Sequence, residues 1–418
     1  MISKGWRRLK HGESNYSGVL ARLARLVEEF SFLIEEEGFR RFKEALLAFS
    51  MDLGGLAAGL IVASQLPIVL KAPWTIMLYP LALSLRGNIG GVFSGRLSTG
   101  LHLGVIEPRL RGNTHYFKLV FSAMHFLTLL LALVSGLTVA VAQIVLEGAG
   151  TFSYAIVSTA LATQALSITI TMPLTCLLGF ISFKRNLDPD VLVYPVMSTV
   201  SDIVTTLMYI LALKLLFMES SGSLILTAVA AVYSVTILLL ARRYFGEEEF
   251  RTSVREVSAT LFLSVSLGLF SGLALSEVRA KLADYPGVVI VYPALIDTLG
   301  DFGSSIGSIL TTRLAEGSTE AKLSLSPLEL FEAAQIWLSC LIYYLVYGFI
   351  ALTGGLKGTA VVLLCFLLSS PVILAVSRIL ALETFRRGLN PDNFVIPLET
   401  TLSDSLTTVI MAALLMTL

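Results

Sequence analysis

Leu187–Thr206 reads LDPDVLVYPVMSTVSDIVTT, and Leu389–Thr408 reads LNPDNFVIPLETTLSDSLTT; aligned without a gap, 10 of the 20 positions are identical. Each copy is about as long as a helix needs to be to cross the hydrocarbon core of a bilayer. The pair decides the fold, because it marks the chain as an internal duplication of membrane-spanning units. A second pair lies upstream in the same order in each half. YPLALSLRGNIGGVFSGRLSTGLHLG (Tyr79–Gly104) and YPALIDTLGDFGSSIGSILTTRLAEG (Tyr292–Gly317) share Tyr-Pro, a Gly-polar-x-Gly core and a terminal Gly.

The rest of the 418 residues agrees, being 55% hydrophobic and only 14% charged, whereas soluble domains run near a quarter charged. The 30 basic residues balance the 30 acidic ones, which argues against a nucleic-acid partner. Cys176, Cys340 and Cys365 are widely spaced in apolar surroundings and form neither a disulfide framework nor a CxxC metal site. Continuous apolar runs predict eleven helical spans, near 50–70, 74–103, 119–145, 153–182, 191–217, 223–241, 257–276, 287–313, 330–352, 357–382 and 393–417. The predicted fold class is therefore an all-α polytopic membrane protein embedded in the lipid bilayer, not a β-barrel. Its parts are a cytoplasmic N-terminal segment (1–43), transmembrane repeat 1 (44–217), a linker holding one span (218–256) and transmembrane repeat 2 (257–418).

The N-terminal segment carries nine Lys or Arg and no cleavable signal is expected there. Basic residues collect in alternate loops, among them Arg109, Arg111, Lys118, Arg242, Arg243, Arg386 and Arg387, which predicts N-in, C-out. Five spans per unit would invert a fused second copy; the extra span at 223–241 restores parity. The repeats are then parallel, related by an axis along the membrane normal, and a site on that axis appears twice.

Asp202 and Asp404 hold identical places in the last span of each repeat. An Asp at mid-bilayer costs roughly 2.5–3.5 kcal/mol on insertion scales, so it signals function. Pro195 and Pro397 lie seven residues earlier, each leaving a carbonyl without its helical donor. Thr205, Thr206, Thr407 and Thr408 follow at i+3 and i+4, and Ser198, Thr199, Thr400 and Thr401 precede, giving an oxygen-rich stripe per repeat. Oxygen ligands with a carboxylate pair suit a hard divalent cation. Two facing carboxylates repel, so protons are expected to compete with the metal. In the glycine-rich spans, Asn88 and Asp301 correspond and are expected to face the ion, while the glycines permit close helix approach. Asp297 and Glu399 stand opposite Ser84 and Met197 and make the halves unequal. Arg96 and Asp52 are candidate partners of one another.

These motifs, with the Gly-Asn-x-Gly…Arg-Leu-Ser-Thr-Gly span and the tandem five-span layout, resemble the MgtE family of magnesium transporters. The tandem form is similar to the eukaryotic solute carrier family 41, over residues 44–418. The resemblance implies a Mg2+ pathway between the halves, with Mn2+ or Co2+ as other cargo, Asp202 and Asp404 matching the family's pore acid, and one chain supplying both halves, so that a monomer suffices. It implies a multi-pass protein of the cell (inner or plasma) membrane and no enzyme activity. A Na+- or H+-coupled exchanger is the alternative within transport; a membrane scaffold or intramembrane enzyme is the alternative outside it. The chain departs from the family at Asn390, at Asp301 and at the Ile-Leu-Thr-Thr run of repeat 2, and regulation by cytoplasmic sensor modules is not expected.

Gly303-Ser304-Ser305-Ile306-Gly307 matches a hydrolase nucleophile pattern but lies in an apolar span. No HExxH, Walker A or dinucleotide fingerprint occurs. Val19–Ile34 shows the periodicity of an amphipathic helix, suited to the inner leaflet surface or to a gate at the cytoplasmic mouth. Asn15-Tyr16-Ser17 fits a glycosylation acceptor on the side predicted to be cytoplasmic.

Overall fold

The computed structural model describes residues 39–148, 154–185, 189–218, 221–319, 321–388 and 391–418. The amphipathic segment Val19–Ile34, the Asn15 acceptor, and Asp188 and Asn390 lie outside the described residues. So do the side chains of Pro195 and Pro397, although both positions are helical in the backbone.

Among the described residues every regular element is a helix. Repeat 1 holds α1 (Arg40–Phe49), α2 (Gly55–Ser64), α3 (Pro73–His102), α4 (His115–Glu147), α5 (Tyr154–Lys184) and α6 (Pro189–Leu216). The linker helix is α7 (Gly222–Tyr244); α8 (Glu248–Glu277), α9 (Pro286–Glu316), α10 (Pro327–Ala351), α11 (Leu356–Arg386) and α12 (Pro391–Thr417) follow. Prolines open α3, α9 and α10, where their missing N–H costs nothing. Ser326 and Glu329 close a reciprocal capping box on α10 at 3.2 and 2.8 Å, satisfying two orphan N–H groups.

The first predicted span begins earlier than its apolar run. Arg40–Ser64 forms one candidate crossing, broken by a tight 3-10 turn over Met51–Gly54 that carries the buried Asp52. Two adjacent glycines there give no side-chain reason to stay α-helical. Nine helices among the described residues are long and apolar enough to cross a membrane. Of the two other predicted spans, 257–276 lies in α8, which offers the shorter apolar stretch Phe262–Glu277. The other, 287–313, lies in α9, where Asp297, Gly300, Asp301 and Gly303 interrupt the apolar run. The linker α7 is the outermost helix, only 22% buried over its apolar window, and its exposed Leu224, Val232 and Leu239 suit contact with lipid. The glycine-rich α3 is the most buried of these nine, at 78%.

Packing exchanges the first helix of each repeat. Helix α2 lies on α9 and α1 on α10, while α8 lies on α3, α4 and α12. The seams are glycine pairs four residues apart, Gly55/Gly59 on α2 and Gly268/Gly272 on α8. A Cβ on Gly59 would overlap the Ile290 carbonyl, and one on Gly272 the Met77 carbonyl; Gly55 meets Ala294 as Gly268 meets Leu81. Each contact maps onto the other with the halves exchanged, a small-residue seam that lets backbones touch. Helix α1 is further pinned to α10. Arg41 and Arg313 reach the buried Glu332 at 3.3 and 2.6 Å, Ser339 donates to the Phe42 carbonyl at 2.8 Å, and Tyr343 donates to the Leu46 carbonyl at 2.5 Å.

Candidate cation site between the two halves

The Tyr-Pro motifs set the register of the site. Tyr79 on α3 shares a hydrogen bond with Thr206 on α6 at 3.1 Å, and Tyr292 on α9 does the same with Thr408 on α12 at 3.0 Å. The two tyrosine rings meet across the halves with centroids 6.4 Å apart. This orients α3 against α6 and α9 against α12, so that the polar residues two turns further along face a common cavity. Its walls include Arg86 from α3, Ser198 from α6, Asp297 and Asp301 from α9, and Thr400 and Asp404 from α12.

Asp202 is 1% exposed; one carboxylate oxygen accepts from the Arg86 guanidinium, while the other is buried without a hydrogen-bond partner. Arg86 also donates to Ser198 at 3.4 Å. Asp404 is half-buried, with Oδ1 facing Gly300 and unpartnered. Asp297 stands beside Asp202, and Asp301 beside Asp52. Asp404 interacts electrostatically with Asp202, Asp301 and Arg86. Carboxylates this close repel unless something positive stands between them. Among the described residues the acids approach as pairs, and no group of three or more His, Cys, Asp or Glu is set to hold a metal.

Asn88 does not use its amide as Asp301 uses its acid. Its Nδ2 donates to Ser264 at 2.9 Å and to Thr401 at 3.0 Å, tying α3 to α8 and α12. In the other half the aligned Asp301 meets Asp52 beside α2, and Thr199 donates to the Met51 carbonyl at 2.7 Å. The same corner is thus neutral in one half and acidic in the other.

The remaining hydroxyls divide. Ser198 and Thr400 line the cavity. Thr205 bonds Ser167 at 2.6 Å, Thr408 also donates to the Asp404 carbonyl at 2.6 Å, and Thr407 is fully buried where its carbonyl accepts from Cys365. Thr205, Thr206, Thr407 and Thr408 are engaged in helix packing within their own halves, because consecutive threonines point to different sides of a helix. Arg96 donates to Ser253 on α8, and Asp52 sits against Asp301 and Thr298, so the suggested Arg96–Asp52 pairing gives way to partners on the exchanged helices. Glu399 is fully buried on another side of α12, accepting from Ser403 at 3.1 Å in space left by Gly303.

Sequence reasoning missed Arg86. The signal was there: a permanently charged residue inside an apolar span demands a partner, and Asp202 was the acid in need of one.

A family model described as MgtE, divalent cation transporter, matches residues 79–212 and 292–414, once in each half. No curated protein and no solved structure matches the chain.

Proposed function

The chain belongs to the MgtE family of divalent cation transporters, and on that premise we propose that its cargo is Mg2+, passing between the two halves and held by Asp202 and Asp404. The observation that carries this reading is the cavity where Asp404, Asp297 and Asp301 stand beside Ser198 and Thr400, with Asp202 in electrostatic contact. Carboxylates with hydroxyls are hard oxygen donors, and Mg2+ gives up its waters reluctantly, so one or two acids plus retained waters suit it. Mn2+ and Co2+ share the charge and accept the same donors. Asn88 and Asp301 flank the route, one holding helices together and the other adding charge.

The protein is a multi-pass membrane protein, and we count eleven spans in it, with α8 and α9 as crossings despite their polar interruptions. Both run the length of a bilayer and pack within the bundle. The loop distribution of Lys and Arg supports N-in, C-out in the cell membrane. One chain brings both acids, so a monomer suffices.

The test is flux of purified protein in liposomes with Mg2+, Mn2+ and Co2+ supplied separately. Saturable Mg2+ flux that disappears in Asp404→Asn supports the reading. Wild-type flux in Asp202→Asn, Asp404→Asn and the double variant would overturn it.

A further inference from the structure

Arg86 gives the cation route a resident positive charge. It is 9% exposed, ion-paired with Asp202 and bonded to Ser198. At the aligned place in the second half stands Leu299, fully buried and apolar, so Asp404 has no guanidinium of its own half. Arg86 also lines a second cavity, to whose walls Asp404 does not contribute. That cavity runs between α3, α4, α5 and α6, and its walls include Ser94, Thr128, Gln164, Thr171 and Ser201, whose oxygens can accept hydrogen bonds.

We propose that Arg86 is a tethered competitor that occupies Asp202 until a divalent cation displaces it, and that this exchange sets the selectivity of the route. The inference rests on the cation reading above. A guanidinium stays charged at any working pH, so the competitor cannot be titrated away. A monovalent cation that replaced it would bring one charge where one already stands, with hydrogen bonds already made. A divalent cation brings two charges, enough for Asp202 and Asp404 together, and Coulomb attraction scales with that product. The displaced side chain already borders a cavity whose walls offer it hydroxyl and amide oxygens. Asp404, lacking such a competitor, is where an arriving ion first finds an open carboxylate.

The test compares wild type, Arg86→Gln, Arg86→Lys, Asp202→Asn and the double variant R86Q/D202N in liposomes, reading half-saturating Mg2+ and Na+ or K+ leak. Competition predicts that R86Q lowers half-saturating Mg2+ by about fivefold or more, the lower end of ordinary site coupling, and admits a monovalent leak, while R86K keeps monovalents out. Asp202→Asn leaves the guanidinium repelling the ion and raises half-saturation; adding R86Q to it brings the value back down. That rescue is charge-balanced, so it remains decisive if R86Q alone fails to fold. Unchanged affinity and leak in R86Q, or a double variant no better than Asp202→Asn, overturns the proposal. Absence of saturable divalent flux in wild type would instead defeat the transport reading itself.

Discussion

Gly59 and Ile290 meet backbone to backbone across the boundary between the two halves. The contact recurs as Gly272 on Met77 with the halves exchanged, so the first helix of each repeat is clasped by the other repeat. The two seams seat α2 on α9 and α8 on α3, the two helices that bring Asp301 and Arg86 to the cavity.

Filling either seam should cost similar stability. Gly59→Ala and Gly272→Ala each force a Cβ against a backbone carbonyl, and overpacking of this kind costs about 1–3 kcal/mol. Thermal melting in detergent should show both variants lowered by comparable amounts. A Gly59→Ala protein that melts with the wild type would contradict the exchanged packing.

The tyrosine pair offers a symmetric comparison. Tyr79→Phe and Tyr292→Phe each remove one buried hydrogen bond, to Thr206 and Thr408, worth about 1 kcal/mol. Because the rings touch, the double variant should depart from the sum of the singles. Strict additivity in chemical denaturation would mean that the two motifs do not communicate.

Glu332 anchors α1 from a position 3% exposed at its side chain. Glu332→Ala leaves Arg313 and part of Arg41 without their shared counter-charge, a loss of about 3–5 kcal/mol for a buried pair. Arg41→Ala should cost less, since its side chain is 23% exposed and exposed pairs contribute little. Equal losses for the two would show that the network is not centred on Glu332.

Asp301→Asn makes the second half resemble the first, where Asn88 stands. It removes the negative charge that Asp301 sets against Asp52, so the metal-free protein should gain ~1 kcal/mol, within the range for directly coupled residues. Added Mg2+ should then stabilise the variant less than wild type, because a ligand raises stability only through binding the folded state. A larger Mg2+-dependent rise in melting temperature in Asp301→Asn would count against a cation near this pair.

Local chemistry made much of this protein legible in the chain itself. Apolar runs bounded by Pro73, Pro286 and Pro327 produce helices at the predicted spans, and the repeated Leu187–Thr206 motif announced the duplication. The same repeat singled out Asp202 and Asp404, since an acid in an apolar helix is conspicuous wherever the helix packs. The glycines of the two glycine-rich spans, expected to permit close approach, divide: Gly303 and Gly307 lie against Glu399 and Val395, whereas Gly87 and Gly95 face open space, and the backbone contacts fall to Gly59 and Gly272 instead.

What the chain could not disclose was which helix each glycine would face. Gly59 lies 231 residues from Ile290 in sequence, and nothing local distinguishes a seam within a half from one across halves. Arg86 and Asp202 are 116 residues apart, and Asp52 reaches Asp301 only because α2 is exchanged onto α9. Those partnerships depend on the rotation and crossing of whole helices, which the packing of all of them settles together. The sequence by itself determined the helices, their duplication and the acids; only the tertiary structure decided that one of the two acids is held by an arginine and the other is open.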